Sequence, residues 1–375
     1  MSAATRGAGA ALLALPLLLG GCELGHKQTQ QTGYRGAGLD QISNPRLKAK
    51  SAAIPAAAYP TPPDTGPRAG ETYKNVQVLG GISADRFNHL MAQISQWVAP
   101  PEQGCTYCHN PENMASDEKY TKVVARQMLR MTRTINTRWQ SHVQATGVTC
   151  WTCHRGNVIP NYRWALAEGT PDPDTIRGNK HGQNSPNPNV GYASLPSDPF
   201  ARYLRNGATD QIRVASNSEY PLPAEHHASI KDAEATYGMM MHISQSLGVN
   251  CTYCHNTQSF RAWSLSRAQR ATAYYGIRMV RGLNDAYLTP LAAVFPANRK
   301  GPHGDPYKVN CMTCHQGLSK PLGGVSMRDQ APALWVLAAN APPAAGTMPE
   351  QAPVPASSDA TRAAFRNPQA ITRHQ

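Results

Sequence analysis

The chain has 375 residues, with 36 Lys and Arg against 23 Asp and Glu, and its formal charge is +13. This length allows one large domain or two medium ones. The basic residues are spread along the chain and form no dense block, so the charge does not indicate a nucleic-acid-binding arm, and we expect no nucleic-acid partner.

The first 21 residues have the pattern of a signal peptide. Arg6 precedes an apolar run at 10–19, which is too short to span a bilayer. The run leads into a Leu-Gly-Gly-Cys sequence that ends at Cys22 and resembles a bacterial lipobox. We therefore predict that 1–21 is removed and that acyl chains on Cys22 anchor the protein to a membrane. An ordinary signal peptide with an incidental cysteine is the alternative.

Residues 22–70 are rich in Ala, Pro, Thr, Gln and Gly, which is typical of a tether or wrapping segment. A helix is predicted next, with Ser83 as its cap and Pro100-Pro101 as its stop. Its apolar residues recur at helical spacing and are Phe87, Leu90, Met91, Ile94 and Val98.

Eight of the nine cysteines belong to four copies of Cys-x-x-Cys-His. The copies contain Cys105, Cys108 and His109; Cys150, Cys153 and His154; Cys251, Cys254 and His255; and Cys311, Cys314 and His315. At this spacing two thiols can bond the two vinyl groups of a haem, and the His can bind its iron. A zinc ribbon has its pairs closer together and needs no His after each pair. The pattern therefore predicts four covalently bound c-type haems, whose propionates would lower the charge to about +5.

A second, longer helix is predicted from Asp117 to Thr146. One of its faces carries Val124, Met128, Met131, Ile135, Trp139 and His142. Residues 171–223 are rich in Pro, Gly and Asn and are predicted to be an irregular connector. Another helix follows with Tyr237, Met240, Ile243 and Leu247 on one face and Gly248 at its end. Residues 326–375, with their Ala-Pro clusters, are predicted to be a disordered tail.

The ordered body contains an internal repeat. Residues 90–96 resemble 239–245, and 129–136 resemble 277–284; each run precedes a haem motif. We predict a mainly α multihaem cytochrome c, with two pseudo-symmetric haem-pair halves at 71–170 and 224–325. The haems would form much of its core, and the connections would be long and irregular.

Each iron needs a sixth ligand besides the motif His, and two methionines are candidates from position. Met91 is predicted for the first haem because its helix leads directly into Cys105. Met240 is predicted for the third haem because the repeat places it opposite Met91. The alternative is that both methionines fill gaps in the core.

The second and fourth haems draw on the long helix. Met128 and His142 would stand about 21 Å apart along it, too far to bind one iron. Since Gly276 occupies the position that matches Met128, we assign Met128 to the second haem and His142 to the fourth. Spacing alone also permits Met131 for the second, or Met279, His226 or His227 for the fourth. Four other histidines, His26, His89, His242 and His374, are predicted to lie at the surface.

A row of haems with unequal potentials and no open iron would pass electrons and transform no substrate, so no catalytic residue is predicted. A multihaem reductase, which needs an open iron, is one alternative. A freestanding lipid-anchored electron conduit, which needs no pigment partner, is the other.

Four short sequences resemble the tetrahaem cytochrome subunit of purple bacterial photosynthetic reaction centres. They are Tyr73-Lys74-Asn75-Val76, Gly104-Cys105-Thr106-Tyr107-Cys108-His109, Gly147-Val148-Thr149-Cys150 and Cys314-His315-Gln316-Gly317. The resemblance covers about 31–322. It implies Met91, Met128 and Met240 as ligands of the first three haems and His142 as the distant ligand of the fourth.

The resemblance also implies a place and a role. Such a subunit lies on the periplasmic face of the bacterial inner (photosynthetic) membrane, against the reaction-centre membrane subunits that carry bacteriochlorophyll. It would re-reduce the photo-oxidised pigment pair with electrons from a soluble c-type cytochrome or a high-potential iron–sulfur protein. The third haem would lie nearest the pigment and the first farthest away. Arg270 resembles a family Arg that raises the potential of the third haem, although a solvated helix-face Arg is the alternative.

Overall fold

The computed structural model describes residues 27–31, 40–166, 187–205, 230–257, 260 and 262–336. The α-helices there are α1 (Pro45–Ala52), α2 (Ala69–Thr72), α3 (Ala84–Val98), α4 (Tyr120–Arg138), α5 (Gln140–Val143), α6 (Cys150–His154), α7 (Phe200–Tyr203), α8 (Ile230–Leu247), α9 (Ala268–Leu283) and α10 (Cys311–His315). The chain is mainly α, as predicted. The predicted signal peptide, Cys22, His26, His226, His227 and His374 lie outside the described residues.

The strands are short and form two antiparallel pairs. They are β1 (Gln28–Gln31) with β2 (Asp40–Ser43), and β3 (Arg163–Trp164) with β4 (Lys308–Val309). In the second pair Arg163 lies opposite Val309 and Trp164 opposite Lys308. Because β3 follows the second Cys-x-x-Cys-His motif and β4 immediately precedes the fourth, this pair brings the two motifs together. None of the helices in the described ranges combines the length and apolarity needed to cross a membrane.

Two helix predictions are confirmed. Helix α3 begins after Ser83, whose Oγ accepts a hydrogen bond from the Arg86 amide at 3.3 Å, and it ends just before the two prolines. Helix α8 ends at Leu247, and Gly248 follows with φ +61°. A Cβ on Gly248 would lie 2.2 Å from the Gly317 carbonyl oxygen. Glycine is therefore needed there both for the backbone conformation and for the close approach to the fourth motif.

The prediction of one continuous helix from Asp117 to Thr146 is wrong. The chain forms α4 and α5, separated at Trp139, whose φ of −114° and ψ of 33° are not helical. Thr132 and Thr137 each donate a side-chain hydrogen bond to the carbonyl four residues earlier, a pattern that bends helices. Trp139 itself is buried in the core at this break.

The predicted halves share one core. The larger cluster of buried apolar side chains combines α4 and the residues just after it with α8 and α9; its members are Met131, Ile135, Trp139, Val148, Trp164, Phe200, Tyr203, Leu204, Met239, Ile243, Met279, Val280, Leu283 and Tyr287. A second cluster lies around α3 and contains Leu79, Ile82, Leu90, Trp97, Leu129, Leu322, Met327, Ala331, Ala333 and Leu334. The two halves are therefore not separate packing units.

Part of the predicted irregular connector packs in the core. Val190, Phe200, Tyr203 and Leu204 are buried, and α7 lies within this segment. Because the segment is rich in Pro, Gly and Asn, its composition did not indicate that these few apolar side chains would be buried. Since Phe200, Tyr203 and Leu204 pack in the shared cluster, this segment helps to hold the helices of the two halves together.

The predicted disordered tail begins too early. Residues 326–336 are ordered, with Met327 and Leu334 buried in the cluster around α3. The buried Arg133 guanidinium donates hydrogen bonds to the carbonyls of Val78, at 2.6 Å, and Val336. The Ala-Pro composition predicted disorder here. Two buried apolar side chains and a backbone carbonyl are nevertheless enough to fix the segment, and composition does not reveal them. Residues 337–375 lie outside the described part.

The segment before α2 wraps around α3. The carbonyl of Tyr59 accepts a hydrogen bond from His89 Nε2 at 2.9 Å, and the Asp64 carboxylate accepts one from the Ser83 amide at 2.7 Å. His89 is buried beneath Tyr59, so its predicted surface position is wrong. The carbonyl gives the buried Nε2 of His89 a hydrogen-bond partner, so burial leaves this nitrogen satisfied.

The attachment of 326–336 can be tested by shortening Leu334. We expect Leu334→Ala to lower the free energy of unfolding by about 2–5 kcal/mol, because it removes a fully buried side chain. Urea unfolding of the purified holoprotein, followed by tryptophan fluorescence, measures this. Val325→Ala is the matched control, since Val325 is 55% exposed. Equal unfolding midpoints for the two variants would contradict the packing described for the segment.

Candidate haem centres

The four Cys-x-x-Cys-His motifs fold as short helical turns. The first and third form 3₁₀ turns at Gly104–Tyr107 and Cys251–Tyr253, and the second and fourth form α6 and α10. Before α10, Asn310 Oδ1 accepts from the Thr313 amide at 3.1 Å and Thr313 Oγ accepts from the Asn310 amide at 3.0 Å. Such reciprocal bonds fix the start of the turn and hence the positions of its cysteines.

Every motif histidine is oriented by a hydrogen bond from Nδ1 to a backbone carbonyl. The pairs are His109 with Met114 at 2.9 Å, His154 with Asn157 at 2.9 Å, His255 with Phe260 at 2.9 Å and His315 with Leu318 at 2.8 Å. A carbonyl can only accept, so Nδ1 carries the proton and Nε2 keeps its lone pair. This arrangement leaves Nε2 of each ring available as a metal ligand.

Burial favours the neutral form of three of these imidazoles. It lowers the pKa of His154 and His255, and it lowers the pKa of His315 to about 4, with a smaller effect from His142. Only the neutral form has a lone pair for a metal. Three of the four motif histidines thus favour, through their surroundings, the protonation state that binds iron.

The eight motif cysteines are free thiols and form no disulfides. Burial raises the pKa of Cys150 and Cys311 to about 12, so they remain protonated and are poor thiolate nucleophiles. The Sγ atoms of Cys153 and Cys314 lie 2.8 Å apart, which places the second and fourth motifs side by side. The thiols of Cys153 and Cys314 therefore come from two different motifs and meet at one place.

A mostly apolar cavity of about 660 Å³ brings together the candidate residues of the first two motifs. It is lined by Met91, His109, Met128 and His154 and by Cys105, Cys108, Cys150 and Cys153. Its volume is within the range of ligand and cofactor pockets. The residues therefore fit large apolar groups that are held by thiols and ligated by an imidazole and a thioether.

The fourth motif has a second imidazole opposite its own. The ring centroids of His142 and His315 are 6.0 Å apart, with an angle of 66° between the ring planes. Two imidazoles that bind one metal from opposite sides would have centroids about 6 Å apart, given metal–nitrogen bonds of about 2 Å. His142 Nδ1 donates to the Thr272 carbonyl at 2.9 Å, so its Nε2 is also available. The two rings fit a single six-coordinate iron.

Gly276 makes room for the His142 ring. A Cβ on Gly276 would lie 2.5 Å from the Cε1 atom of His142 and 2.7 Å from Nδ1. The sequence repeat matches Gly276 with Met128, so the glycine does more than lack a ligating side chain. Its missing Cβ provides the space that the imidazole from the other half occupies.

The other predicted ligands have distinct surroundings. Met240 is partly buried on α8, which leads into the third motif as α3 leads into the first. Met131 and Met279, the alternatives to Met128 and His142, are both buried in the shared core, although Met131 also borders the cavity. His242 is buried and both its ring nitrogens have partners, Asn189 O and Ser246 Oγ, each at 3.2 Å. Its predicted surface position is wrong, and it has no nitrogen left for a metal.

Arg270 lies near the third motif. Its guanidinium stacks 4.0 Å from the centroid of the Trp263 ring and donates to Ser266 Oγ at 2.7 Å. Burial raises the pKa of Cys254 to about 11, against an opposing effect of the positive charges of Arg267 and Arg270. Arg270 is therefore a half-buried, fixed cation beside a cysteine of the third motif.

Two asparagines that the sequence reasoning did not single out position the second and fourth motifs. Asn136 Nδ2 donates to the Val148 carbonyl at 2.9 Å, and its Oδ1 accepts from the Val148 amide at 2.7 Å. Asn284 makes the same two bonds with Val309, at 3.0 and 2.9 Å. Each valine stands two residues before the first cysteine of its motif. The repeat contained the signal, because Asn136 and Asn284 occupy matching positions in it.

The same asparagines also hold the two segments that were predicted to be irregular. Asn136 donates to the Leu334 carbonyl at 3.0 Å, and Asn284 donates to the Leu204 carbonyl at 2.8 Å. Each motif is thus linked through one amide side chain to a segment that comes from elsewhere in the chain. Since the amides are buried, loss of either one would leave backbone groups without partners.

No cluster of three or more His, Cys, Asp or Glu in the described ranges could hold a bare metal ion. An iron held by one imidazole and one further side chain needs its other ligands from elsewhere. A porphyrin supplies them, in agreement with the Cys-x-x-Cys-His motifs.

Comparison with known proteins identifies the family. The sequence model described as "Photosynthetic reaction centre cytochrome C subunit" matches residues 23–335, which include all four motifs. The chain belongs to this family of c-type cytochromes.

Individual relatives agree. The chain is 45% identical over 350 residues to the photosynthetic reaction center cytochrome c subunit of Thermochromatium tepidum, covering 93% of this chain and 85% of the relative. It is 49% identical over 319 residues to the subunit of the same name from Rubrivivax gelatinosus, covering 84% and 86%. The subunit from Roseobacter denitrificans is 40% identical over 267 residues, covering 69% and 71%. The family carries electrons through covalently bound c-type haem.

The contact between Gly276 and His142 yields a test. We expect Gly276→Ala to push the His142 imidazole away from His315, because the new methyl group would overlap the ring. The electron paramagnetic resonance spectrum of the oxidised holoprotein should then change at one haem. Gly81→Ala is the matched control, since a Cβ there meets nothing within 4 Å. An unchanged spectrum in Gly276→Ala would show that His142 is not an iron ligand.

Proposed function

We propose that this chain binds four covalent c-type haems and re-reduces the photo-oxidised bacteriochlorophyll pair of a photosynthetic reaction centre. The family match over 23–335 carries the proposal, because it extends across all four motifs. The two relatives that align with 93% and 84% of this chain are named for the same complex. The chain thus acts as an electron carrier and needs no substrate-transforming site.

The count of four haems is supported by the uniform chemistry of the motifs. Each has two free thiols and one histidine whose Nε2 is available. The proposed axial pairs are Met91 and His109, Met128 and His154, Met240 and His255, and His142 and His315. When bound, the haems supply the one-electron chemistry. The protein residues attach them, orient the ligands and set their potentials.

Two pseudo-symmetric haem-pair halves are part of the proposal. The matching asparagines support them, since Asn136 and Asn284 make the same bonds before the second and fourth motifs. The order of elements supports them too: in each half a helix leads into a 3₁₀ motif, and a second helix precedes an α-helical motif. His142 breaks the symmetry by reaching from the first half into the second.

A chain of closed irons favours electron transfer over catalysis. A thioether ligand raises a haem potential relative to an imidazole, so the fourth haem would differ from the other three. The contact between Cys153 and Cys314 supports an electron path from the second haem to the fourth. Arg270 beside the third motif would raise the potential of the third haem, because a fixed positive charge favours the reduced iron.

The proposed location is the periplasmic face of the inner membrane. The family match begins at residue 23, immediately after the predicted lipid-bearing Cys22. The acyl chains would anchor the protein beside the membrane subunits that carry bacteriochlorophyll. A soluble c-type cytochrome or high-potential iron–sulfur protein would deliver electrons to the first haem, where Cys105 is exposed and Met114 is 52% exposed.

A flash experiment tests the proposal. We expect the chain to co-purify with bacteriochlorophyll and, when its haems are reduced beforehand, to be oxidised after a single saturating flash. Absorbance changes of the haem bands measure the oxidation. The isolated chain with its haems reduced in the same way is the control, because a flash produces no oxidant without the pigment complex. Haems that stay reduced after the flash in an intact pigment complex would contradict the proposed role.

A further inference from the structure

A buried lysine shares the carbonyl that orients the histidine of the first motif. The Met114 carbonyl oxygen accepts His109 Nδ1–H at 2.9 Å and Lys122 Nζ at 2.9 Å. Lys122 also donates to the Ser116 carbonyl at 2.8 Å, and only 7% of the residue is exposed. A positive charge and a predicted iron ligand therefore meet on one oxygen atom.

The lysine is part of a cluster with excess positive charge. Its Nζ lies 3.3 Å from the Asp117 carboxylate, which also pairs with Arg126 at 2.8 Å and accepts from Asn75 Nδ2 at 2.9 Å. These partners hold the pKa of Asp117 well below its usual range, with the hydrogen bond from Arg126 the largest cause. One carboxylate thus stands against two cations, and the cluster keeps a net positive charge beside the motif.

The second and fourth motifs lack this feature. Their histidines, His154 and His315, bond to the carbonyls of Asn157 and Leu318. Among the described residues, no side chain other than the histidine itself donates to either carbonyl. A cation on the acceptor of the axial histidine therefore distinguishes the first site from these two.

We propose that Lys122 raises the reduction potential of the first haem through His109. Its fixed positive charge lies at the Met114 carbonyl oxygen, which accepts the hydrogen bond from His109 Nδ1. The inference rests on the proposed haem at the first motif. An imidazole whose N–H bonds to a strong acceptor is a better electron donor to its metal. Lys122 withdraws electron density from that acceptor and so weakens the effect. Its charge also disfavours the oxidised iron, which carries one more positive charge. Both effects raise the potential of the first haem.

A purely structural role for Lys122 makes a different prediction. If the lysine only held 114–117 in place, a neutral side chain that still donates hydrogen bonds would leave the potential unchanged. Lys122→Arg keeps the charge, and Lys122→Gln keeps a donor but removes the charge. The pair separates the charge from the hydrogen bond.

Redox titration of the holoprotein, with the four haems resolved by their optical bands, tests the inference. We expect Lys122→Met to shift the reduction equilibrium of the first haem toward the oxidised form by about tenfold, which is 59 mV for one electron. Lys122→Gln should shift it in the same direction, and Lys122→Arg should stay near the unmodified protein. Lys119→Met is the matched control. It removes an equal charge near the same motif, but Lys119 donates to the Thr106 carbonyl and is more exposed, so its charge is better screened.

Three results would overturn the inference. The potential of the first haem could stay unchanged in Lys122→Met or in Lys122→Gln, or it could shift as much in Lys122→Arg as in Lys122→Gln. The third result is a shift in Lys119→Met as large as that in Lys122→Met. If Lys122→Met fails to retain the first haem, the Arg and Gln variants decide alone. Haem quantification separates this test from the proposed function. An unmodified chain with fewer than four haems contradicts the proposed function, whereas four haems with unmoved potentials contradict only the role of Lys122.

Discussion

The hydrogen bond from each motif imidazole to a backbone carbonyl fixes which ring nitrogen can bind iron. The acceptor lies three to five residues after the histidine, so the turn that places the cysteines also sets the direction of the ring. The same bond holds the proton on Nδ1, so the lone pair of Nε2 stays available for iron. His142 has the equivalent bond with a carbonyl from α9, which makes it the one candidate ligand oriented by the other half of the chain.

The rest of the fold serves to hold these turns in register. The cluster shared by α4, α8 and α9 joins the halves, and the pairing of β3 with β4 keeps the second and fourth motifs adjacent. Gly276 lets the His142 ring cross between the halves, while Asn136 and Asn284 fix the backbone just before two of the motifs. Packing and ligand geometry are therefore coupled, and a change in the shared core would reach more than one haem.

Local signals predicted the parts of the chain that depend on local physics. Helix α3 follows from its apolar spacing and its serine cap, and the motifs follow from cysteine and histidine spacing alone. The break at Trp139 could not be predicted, because it depends on a ring that packs against distant helices. His89 was misjudged for the same reason, since its partner is a carbonyl thirty residues away. The core packing of 187–205 and the order of 326–336 could not be predicted, because a few buried apolar side chains fix segments whose composition is typical of linkers. The repeat did indicate one contact between the halves, since Gly276 lacks a side chain where Met128 has one, and the His142 ring occupies that space. The assignment of His142 to the fourth haem stays a prediction.

If protein side chains close all four irons, no external ligand can bind them, and carbon monoxide binding tests this closure. Carbon monoxide binds a reduced haem iron only where a coordination position is open or easily vacated. The native holoprotein should contain four haems per chain. Its spectra in the fully reduced state, recorded with and without the gas, should be identical at every haem. A carbon monoxide complex at any of them under native conditions would contradict closure and would indicate an iron available to a substrate.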